Sequence, residues 1–188
     1  MSEETTGRGW VFGYGSLMWE PGFACQKGQP ALLKGYHRRY CMYSIITRGT
    51  PEEPGIMLGV LPGGECVGTA FSYDRAKETE VLEYLDNREG EGRANRRVML
   101  PVQLLGNGNG QTLINAWSYL PLVSYEHYVG SLDQERIAEL ITKGKGKNGT
   151  AREYFNNLLT EVRRLEVKED YLENLGALVS SLSSASAD

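Results

Sequence analysis

Short stretches of apolar residues fill the first two thirds of the chain, and glycine-containing turns separate them. These stretches are rich in β-branched and aromatic residues and are punctuated by Gly-Gly, Pro-Gly or Asn-Gly pairs, a pattern that predicts about six β-strands. The first strand begins at Trp10, and the others cover 31–44, 56–61, 66–73, 97–105 and 113–120.

Apolar residues at helical spacing predict four α-helices, three of them in the last third of the chain. The first covers 74–88, with Asp74 as its N-cap and an end near Gly90, and the others cover 132–143, 151–165 and 169–182. Because strands and helices occupy separate parts of the chain, the pattern favours an α+β fold, a small and mainly antiparallel β-barrel with flanking helices. We expect one domain over 10–182, a flexible N-terminal segment over 1–9 and a frayed tail over 183–188.

Composition and charge narrow the classes of function. The 188 residues include 20 Lys plus Arg and 24 Asp plus Glu, which gives a formal net charge of −4. A negative net charge provides no overall electrostatic attraction to phosphate backbones or anionic lipids. No apolar run approaches the roughly 18 residues of a membrane-spanning helix, and the first residues lack the features of a signal peptide. We therefore expect a cytoplasmic protein that binds neither nucleic acid nor membranes.

The cysteines and histidines form no pattern typical of a metal site or a disulfide framework. Cys25, Cys41 and Cys66 are odd in number and widely spaced, which favours reduced thiols. His37 and His127 have no metal-ligand partner at helical or hairpin spacing. A nucleophilic pair of Cys41 and His127 stays open, although buried inert thiols are commoner.

The most unusual local string is Gly13-Tyr14-Gly15-Ser16-Leu17, which directly follows the first predicted strand. Two glycines permit a sharp turn that leaves several backbone N–H groups pointing into one concavity, where they can hold a carboxylate or a developing oxyanion. The other interpretation is a plain β-turn in which glycine supplies a positive φ.

Two further motifs have both a functional and a structural interpretation. Glu89 is expected at a helix end before a glycine-rich turn, so it is either a solvated helix terminus paired with Arg88 or a carboxylate aimed into a pocket; Glu91 is assigned to the solvated turn. The segment 144–150 contains G-x-G-x-x-G, but it follows a helix and has Thr150 where a phosphate-binding loop needs lysine. It is either a loop facing a carboxylate or a basic surface loop.

Five strings occur in a specific order and spacing: WVFGYGSLMW at 10–19, LKGYHRR at 33–39, RGTPEEPG at 48–55, YLDNRE at 84–89 and YVG at 128–130. Together they resemble the ChaC-like γ-glutamylcyclotransferases, and the resemblance covers about 10–178. The chain departs from the family pattern at Ile56, at Ala151 and in having no aromatic residue between Glu89 and Trp117.

The resemblance implies a γ-glutamylcyclotransferase-like barrel that converts glutathione to 5-oxoproline and cysteinylglycine without a cofactor or metal. It implies that Glu89 is catalytic, as a proton shuttle, and that Tyr154 binds substrate. The remaining implied substrate-binding residues are Val11, Phe12, Gly13, Tyr14, Gly15, Ser16 and Leu17. Two alternatives stay open: a cyclotransferase for another γ-glutamyl amide or amine, and a catalytically silent relative of the cation-transport regulator type that binds a ligand or a protein partner.

Overall fold

A computed structural model describes residues 7–106, 112–130 and 132–185. The chain divides into two compact units, one comprising Met1–Arg38 and Val60–Tyr125 and the other Arg39–Gly59 and Glu126–Asp188. The first strand begins at Arg8, because Arg8 and Gly9 already pair with Asp74 and Tyr73, and the last helix continues to Ala185. Residues 1–6 and 186–188 of the expected flexible ends lie outside the described residues, and the expected domain limits stay a prediction.

Five strands form a closed barrel in the order β1-β3-β2-β4-β5. They are β1 Arg8–Gly13, β2 Gln29–Ser44, β3 Gly55–Asp74, β4 Asn95–Leu104 and β5 Thr112–Pro121. Strand β1 pairs antiparallel with β3 and parallel with β5, and β4 pairs antiparallel with β2 and β5. The predicted α+β fold with a mainly antiparallel barrel is therefore confirmed.

The strands predicted over 56–61 and 66–73 are in fact one strand, β3. It continues through Gly63 and Gly64, which take positive φ values of 103° and 69°. Glycine adopts these angles without a Cβ clash, so the pair bends the strand where the sequence predicts a turn. The prediction of six strands is thus wrong by one for the barrel. The structure also contains a short hairpin, β6 Lys145–Gly146 and β7 Gly149–Thr150.

The four predicted helices are confirmed. They are α1 Glu78–Glu89, α2 Gln134–Lys143, α3 Ala151–Arg164 and α4 Asp170–Ala185. Asp74 caps a 3₁₀ turn over Arg75–Lys77 that leads into α1, and its carboxylate accepts a bond from the Ala76 N–H at 3.0 Å. Gly90, at φ 68°, ends α1. Among the described residues, no helix is long and apolar enough to cross a membrane.

Strand β1 is buried on both faces, and this fixes α1 against the barrel. Trp10 and Phe12 belong to the cluster of alternating strand residues that fills the barrel, whereas Val11 points to the opposite face. There Val11 packs with Val81 and Leu85 of α1, and burying each such side chain contributes about 1.5–3 kcal/mol. Strand β1 and helix α1 therefore pack against each other.

Asn95 closes the turn that joins α1 to β4. Its side chain is buried, with the residue 6% exposed, and its Nδ2 donates a hydrogen bond to the Glu89 carbonyl at 2.7 Å. The Gly92 N–H donates to the Asn95 carbonyl at 2.9 Å. Asn95 thus ties the last residue of the helix to the first residue of the strand.

We expect Asn95→Asp to lower the free energy of unfolding by about 2 kcal/mol at pH 7, because a buried donor becomes an acceptor facing a carbonyl. Burial raises the pKa of the new carboxyl in the folded state, and its protonated form regains a donor. The loss of stability should therefore be smaller at pH 4 than at pH 7. Urea denaturation at the two pH values measures the difference.

Asn87→Asp is the matched control, because Asn87 also donates from Nδ2 to a backbone carbonyl, that of Glu83, but is exposed. Its effect should be small at both pH values. Equal losses in the two variants would contradict the role assigned to the buried Asn95 side chain.

Candidate functional site

The chain leaves β1 in a tight turn. A 3₁₀ turn over Ser16–Met18 follows Gly15, and its first internal hydrogen bond runs from the Met18 N–H to the Gly15 carbonyl at 2.9 Å. The N–H groups of Ser16 and Leu17 therefore precede the bonds made inside the turn, as at the start of any helix. These N–H groups are candidates for the predicted cluster of backbone donors, whose role in binding stays a prediction.

Close packing requires a glycine at position 13 of this turn. The plain β-turn interpretation requires a glycine with a positive φ, but Gly15 has φ −130°. At Gly13 an added Cβ would lie 2.8 Å from the Leu17 Cβ. The turn folds back so closely on the end of β1 that a side chain at this position has no room.

The predicted substrate-binding residues near β1 serve different purposes. The side chains of Val11, Phe12 and Leu17 are buried in the two core clusters, so only their backbone is available to a ligand. The Tyr14 hydroxyl donates to the Tyr119 carbonyl at 2.6 Å and anchors the turn to β5.

Glu89 is the last residue of α1, and its side chain is only 20% exposed. Burial raises the pKa of the Glu89 carboxyl, and the guanidinium of Arg88, with Nε 3.3 Å from Oε1, lowers it; burial has the larger effect. The solvated-terminus interpretation is therefore wrong, because the carboxylate is largely shielded from water. A carboxyl with a raised pKa is suited to exchanging protons near neutral pH.

Arg88 connects Glu89 with the turn after β1. Besides its contact with Glu89, it donates from Nη2 to the Ser16 hydroxyl at 3.2 Å and from Nη1 to the Glu20 carbonyl at 2.6 Å. One guanidinium group thus spans the gap between two predicted site residues that are separated by more than 70 positions. The Arg88–Glu89 pair is visible in the sequence, but the bond to Ser16 is not.

A second polar network, which the sequence did not indicate, supports the same helix. Asp86 accepts hydrogen bonds from the Tyr119 hydroxyl at 2.7 Å and from Arg97 Nη1 at 2.6 Å. Glu91 is exposed, as expected for a solvated turn, and its carboxylate also accepts a hydrogen bond from the Arg97 N–H. Glu91 therefore helps to join the turn to β4.

Tyr154 lies in the other compact unit, in the first turns of α3. It is buried, and the guanidinium of Arg48 lies 5.5 Å from the centroid of its ring. Helix α3 begins with a capping box formed by Thr150 and Glu153. The substrate-binding role of Tyr154 stays a prediction.

The segment 144–150 forms the β6–β7 hairpin between α2 and α3. The N–H groups of Lys147 and Asn148 donate to the carbonyls of Ile46 and Thr47 at 2.8 and 2.9 Å. These two donors are therefore not available to a carboxylate, whereas both lysines of the hairpin are exposed. This favours the basic surface loop of the two interpretations.

The Cys41 thiol is not poised to act as a nucleophile. Burial raises its pKa to about 12, so the thiol is protonated at neutral pH. Among the described residues, no group of three or more His, Cys, Asp or Glu side chains is arranged to hold a metal ion.

Several solved structures share this fold. A crystal structure of a γ-glutamylcyclotransferase specific to glutathione from yeast superimposes with a TM-score of 0.83, at 22% identity, over 93% of this chain and 96% of that one. A structure described as γ-glutamyl cyclotransferase matches with a TM-score of 0.56, at 17% identity, over 90% of this chain and 87% of that one. Identities this low show the fold alone.

Curated relatives match at higher identity. A glutathione-specific γ-glutamylcyclotransferase of Schizosaccharomyces pombe is 33% identical over 90% of this chain and 91% of its own length. A protein of the same name from Escherichia coli is 31% identical over 92% of this chain and 73% of its own. The family model described as ChaC-like protein matches residues 9–182. On this evidence the chain belongs to the ChaC-like protein family.

Proposed function

We propose that this protein is a γ-glutamylcyclotransferase that cleaves glutathione into 5-oxoproline and cysteinylglycine. The names of its relatives support this substrate. The observation that carries the proposal is the Arg88 guanidinium, which contacts both the Glu89 carboxylate and the Ser16 hydroxyl and so links a partly buried carboxylate to the turn after β1.

The reaction is an intramolecular amide exchange. The α-amino nitrogen of the γ-glutamyl group attacks its own γ-carbonyl carbon and forms the five-membered ring, and the bond from that carbon to the cysteine nitrogen breaks. Because the nucleophile is part of the substrate, the protein has to fold the substrate and exclude water. Such positioning can lower the barrier by roughly 7–11 kcal/mol.

In this proposal the turn over 13–17 binds the γ-glutamyl group through its backbone N–H groups. The turn also stabilises the negative charge that develops on the γ-carbonyl oxygen, where one donor is typically worth about 3 kcal/mol. The hydroxyl of Ser16 is held by Arg88, and the Tyr14 side chain is held by β5, so this turn is ordered before substrate arrives.

Glu89 is the proton shuttle. Its ionised carboxylate takes a proton from the substrate α-ammonium, which frees the amine to attack, and the carboxyl then gives that proton to the leaving cysteine nitrogen. The attacking nitrogen loses a second proton as the ring closes, and the released amine of cysteinylglycine takes up one proton to become an ammonium, so the protons balance. Both steps are favoured when the pKa lies nearer neutrality than that of a solvated carboxyl, which is the direction in which burial moves Glu89.

We also place the reaction in the cytoplasm, with no nucleic acid or membrane partner. The free state of Cys25, Cys41 and Cys66 agrees with a reducing compartment.

Incubating the purified protein with glutathione and measuring 5-oxoproline tests the proposal directly. We expect Glu89→Gln to lower kcat by about 10²–10⁴-fold, because the amide keeps the shape but cannot exchange a proton. The melting temperature should stay equal or rise: a raised folded pKa means that the ionised carboxylate costs stability at neutral pH, and the substitution removes that charge.

Glu83→Gln is the matched control, because Glu83 lies on the same helix, is exposed and should tolerate the same change with normal turnover. Near-normal kcat for Glu89→Gln would contradict the shuttle. Binding of glutathione without any 5-oxoproline release would favour the silent relative, and turnover of other γ-glutamyl amides alone would favour the second alternative.

The pH dependence of kcat/KM should have an acid limb above the ordinary carboxyl value of about 4.3, because Glu89 must be ionised to accept a proton and its pKa is raised. Arg88→Gln removes the charge that lowers this pKa, so the limb should move to higher pH. Initial rates in buffers of constant ionic strength give both profiles. An acid limb at the ordinary value, or one that Arg88→Gln moves to lower pH, would be inconsistent with the proposed base.

Activity should survive exhaustive dialysis against a metal chelator, because the proposed chemistry uses a carboxylate and backbone donors. Rates before and after dialysis, and after adding Mg²⁺ or Zn²⁺, measure this. Activity that disappears with chelator and returns with a divalent cation would show that the mechanism is incorrect.

A further inference from the structure

Arg38 lies on β2 beneath the turn after β1, and it is 3% exposed. Its Nε donates to the Tyr14 carbonyl at 2.8 Å, and its Nη2 donates to the Val67 carbonyl at 2.6 Å. Nη2 also lies 3.9 Å from the Met18 Sδ. The guanidinium therefore touches residues on both sides of Gly15–Leu17 and joins them to β3.

The bond to Tyr14 determines the direction of the next N–H group. The peptide joining Tyr14 to Gly15 is planar and trans, so its carbonyl and its N–H point in opposite directions. Because the carbonyl points to Arg38, the Gly15 N–H points away from it. A cation at the carbonyl also polarises the peptide and makes that N–H a stronger donor.

The following peptide is set in the same way. The Gly15 carbonyl accepts from the Met18 N–H along the 3₁₀ turn, so the Ser16 N–H points back from the start of that turn. The Arg38 bond to the Tyr14 carbonyl thus directs the Gly15 N–H, and the Met18 bond to the Gly15 carbonyl directs the Ser16 N–H. Of the two, the Gly15 N–H is the donor whose direction Arg38 sets.

We propose that Arg38 is a positioning residue that directs the Gly15 N–H and makes the turn selective for a carboxylate ligand over its neutral amide. The charge of the guanidinium lies behind the peptide, where it favours an anion without contacting it. This inference rests on the proposed function for the class of ligand, the carboxylate of a γ-glutamyl compound.

The test compares the binding of 5-oxoproline, which carries a carboxylate, with that of 5-oxoprolinamide, which does not. Arg38→Lys keeps the charge but cannot hold two carbonyls in a fixed fork. It should weaken binding of 5-oxoproline by about 10- to 100-fold, the range expected for one hydrogen bond to a charged group. Binding of the amide should change much less, and calorimetric titration measures both.

Arg96→Lys is the matched control, because Arg96 is an exposed arginine on β4, and neither affinity should change. Equal losses for acid and amide in Arg38→Lys would mean that Arg38 only supports the fold, and unchanged affinity for 5-oxoproline would overturn the proposal outright. If Arg38→Lys does not fold, the unsubstituted protein decides: 5-oxoproline must shift the NMR signal of the Gly15 amide more than 5-oxoprolinamide does, and equal or absent shifts overturn the proposal.

These measurements are independent of turnover. Acid-selective binding that depends on Arg38, together with no release of 5-oxoproline from glutathione, would retain this inference and reject the proposed function. Turnover of glutathione without such selectivity would reject this inference and retain the proposed function.

Discussion

Closure of the barrel through β1 is the constraint on which the site depends. This strand pairs with β3 from Arg8 to Gly13 and meets β5 at Val11 and Trp117, and both of its faces are covered. The chain leaves it in the tight turn that follows Gly13. The geometry of the turn then follows from close packing at Gly13, from Arg38 behind Tyr14 and from the anchoring of Tyr14 to β5.

The second constraint is the balance between burial and the Arg88 charge, which move the pKa of the Glu89 carboxyl in opposite directions. Removing a carboxylate from water favours its neutral form, and a neighbouring cation favours the ionised form. Here burial has the larger effect although Arg88 lies within 3.3 Å, and the same guanidinium also serves Ser16 and the Glu20 carbonyl. Because the Arg88 guanidinium binds several acceptors, it has a structural role in addition to its effect on the pKa of Glu89.

Polar networks on either side of Glu89 hold the end of α1. Asn95 binds the Glu89 carbonyl, and Asp86, one turn earlier, joins Tyr119 to Arg97. The helix therefore presents its last side chain from a backbone that is fixed at two points. This is the precision that a proton-exchanging group requires, because a displacement of about 1 Å can cost on the order of a hundredfold in rate.

The sequence by itself determined most of the local elements, although several of them begin or end at other residues than predicted. Periodicity predicted all four helices, and Gly90 marked the end of the first, because a left-handed glycine acts through its immediate neighbours. Asp74 caps the 3₁₀ turn before that helix, so the helix begins four residues later than predicted. The sequence also indicated Glu89 and the turn over 13–17 as candidates. It failed at Gly63 and Gly64, where a glycine pair has the same local preference in a turn and in a bent strand.

Only the tertiary structure decided whether Glu89 is solvated or buried, which partners Arg88 has and that Arg38 lies beneath the turn. Each of these depends on residues far apart in the chain: 72 positions separate Arg88 from Ser16, and 24 separate Arg38 from Tyr14. Desolvation and charge–charge effects depend on distance in space, which packing alone sets. Local pattern carries no information about them, so the chemistry of the site could be read only from the folded chain.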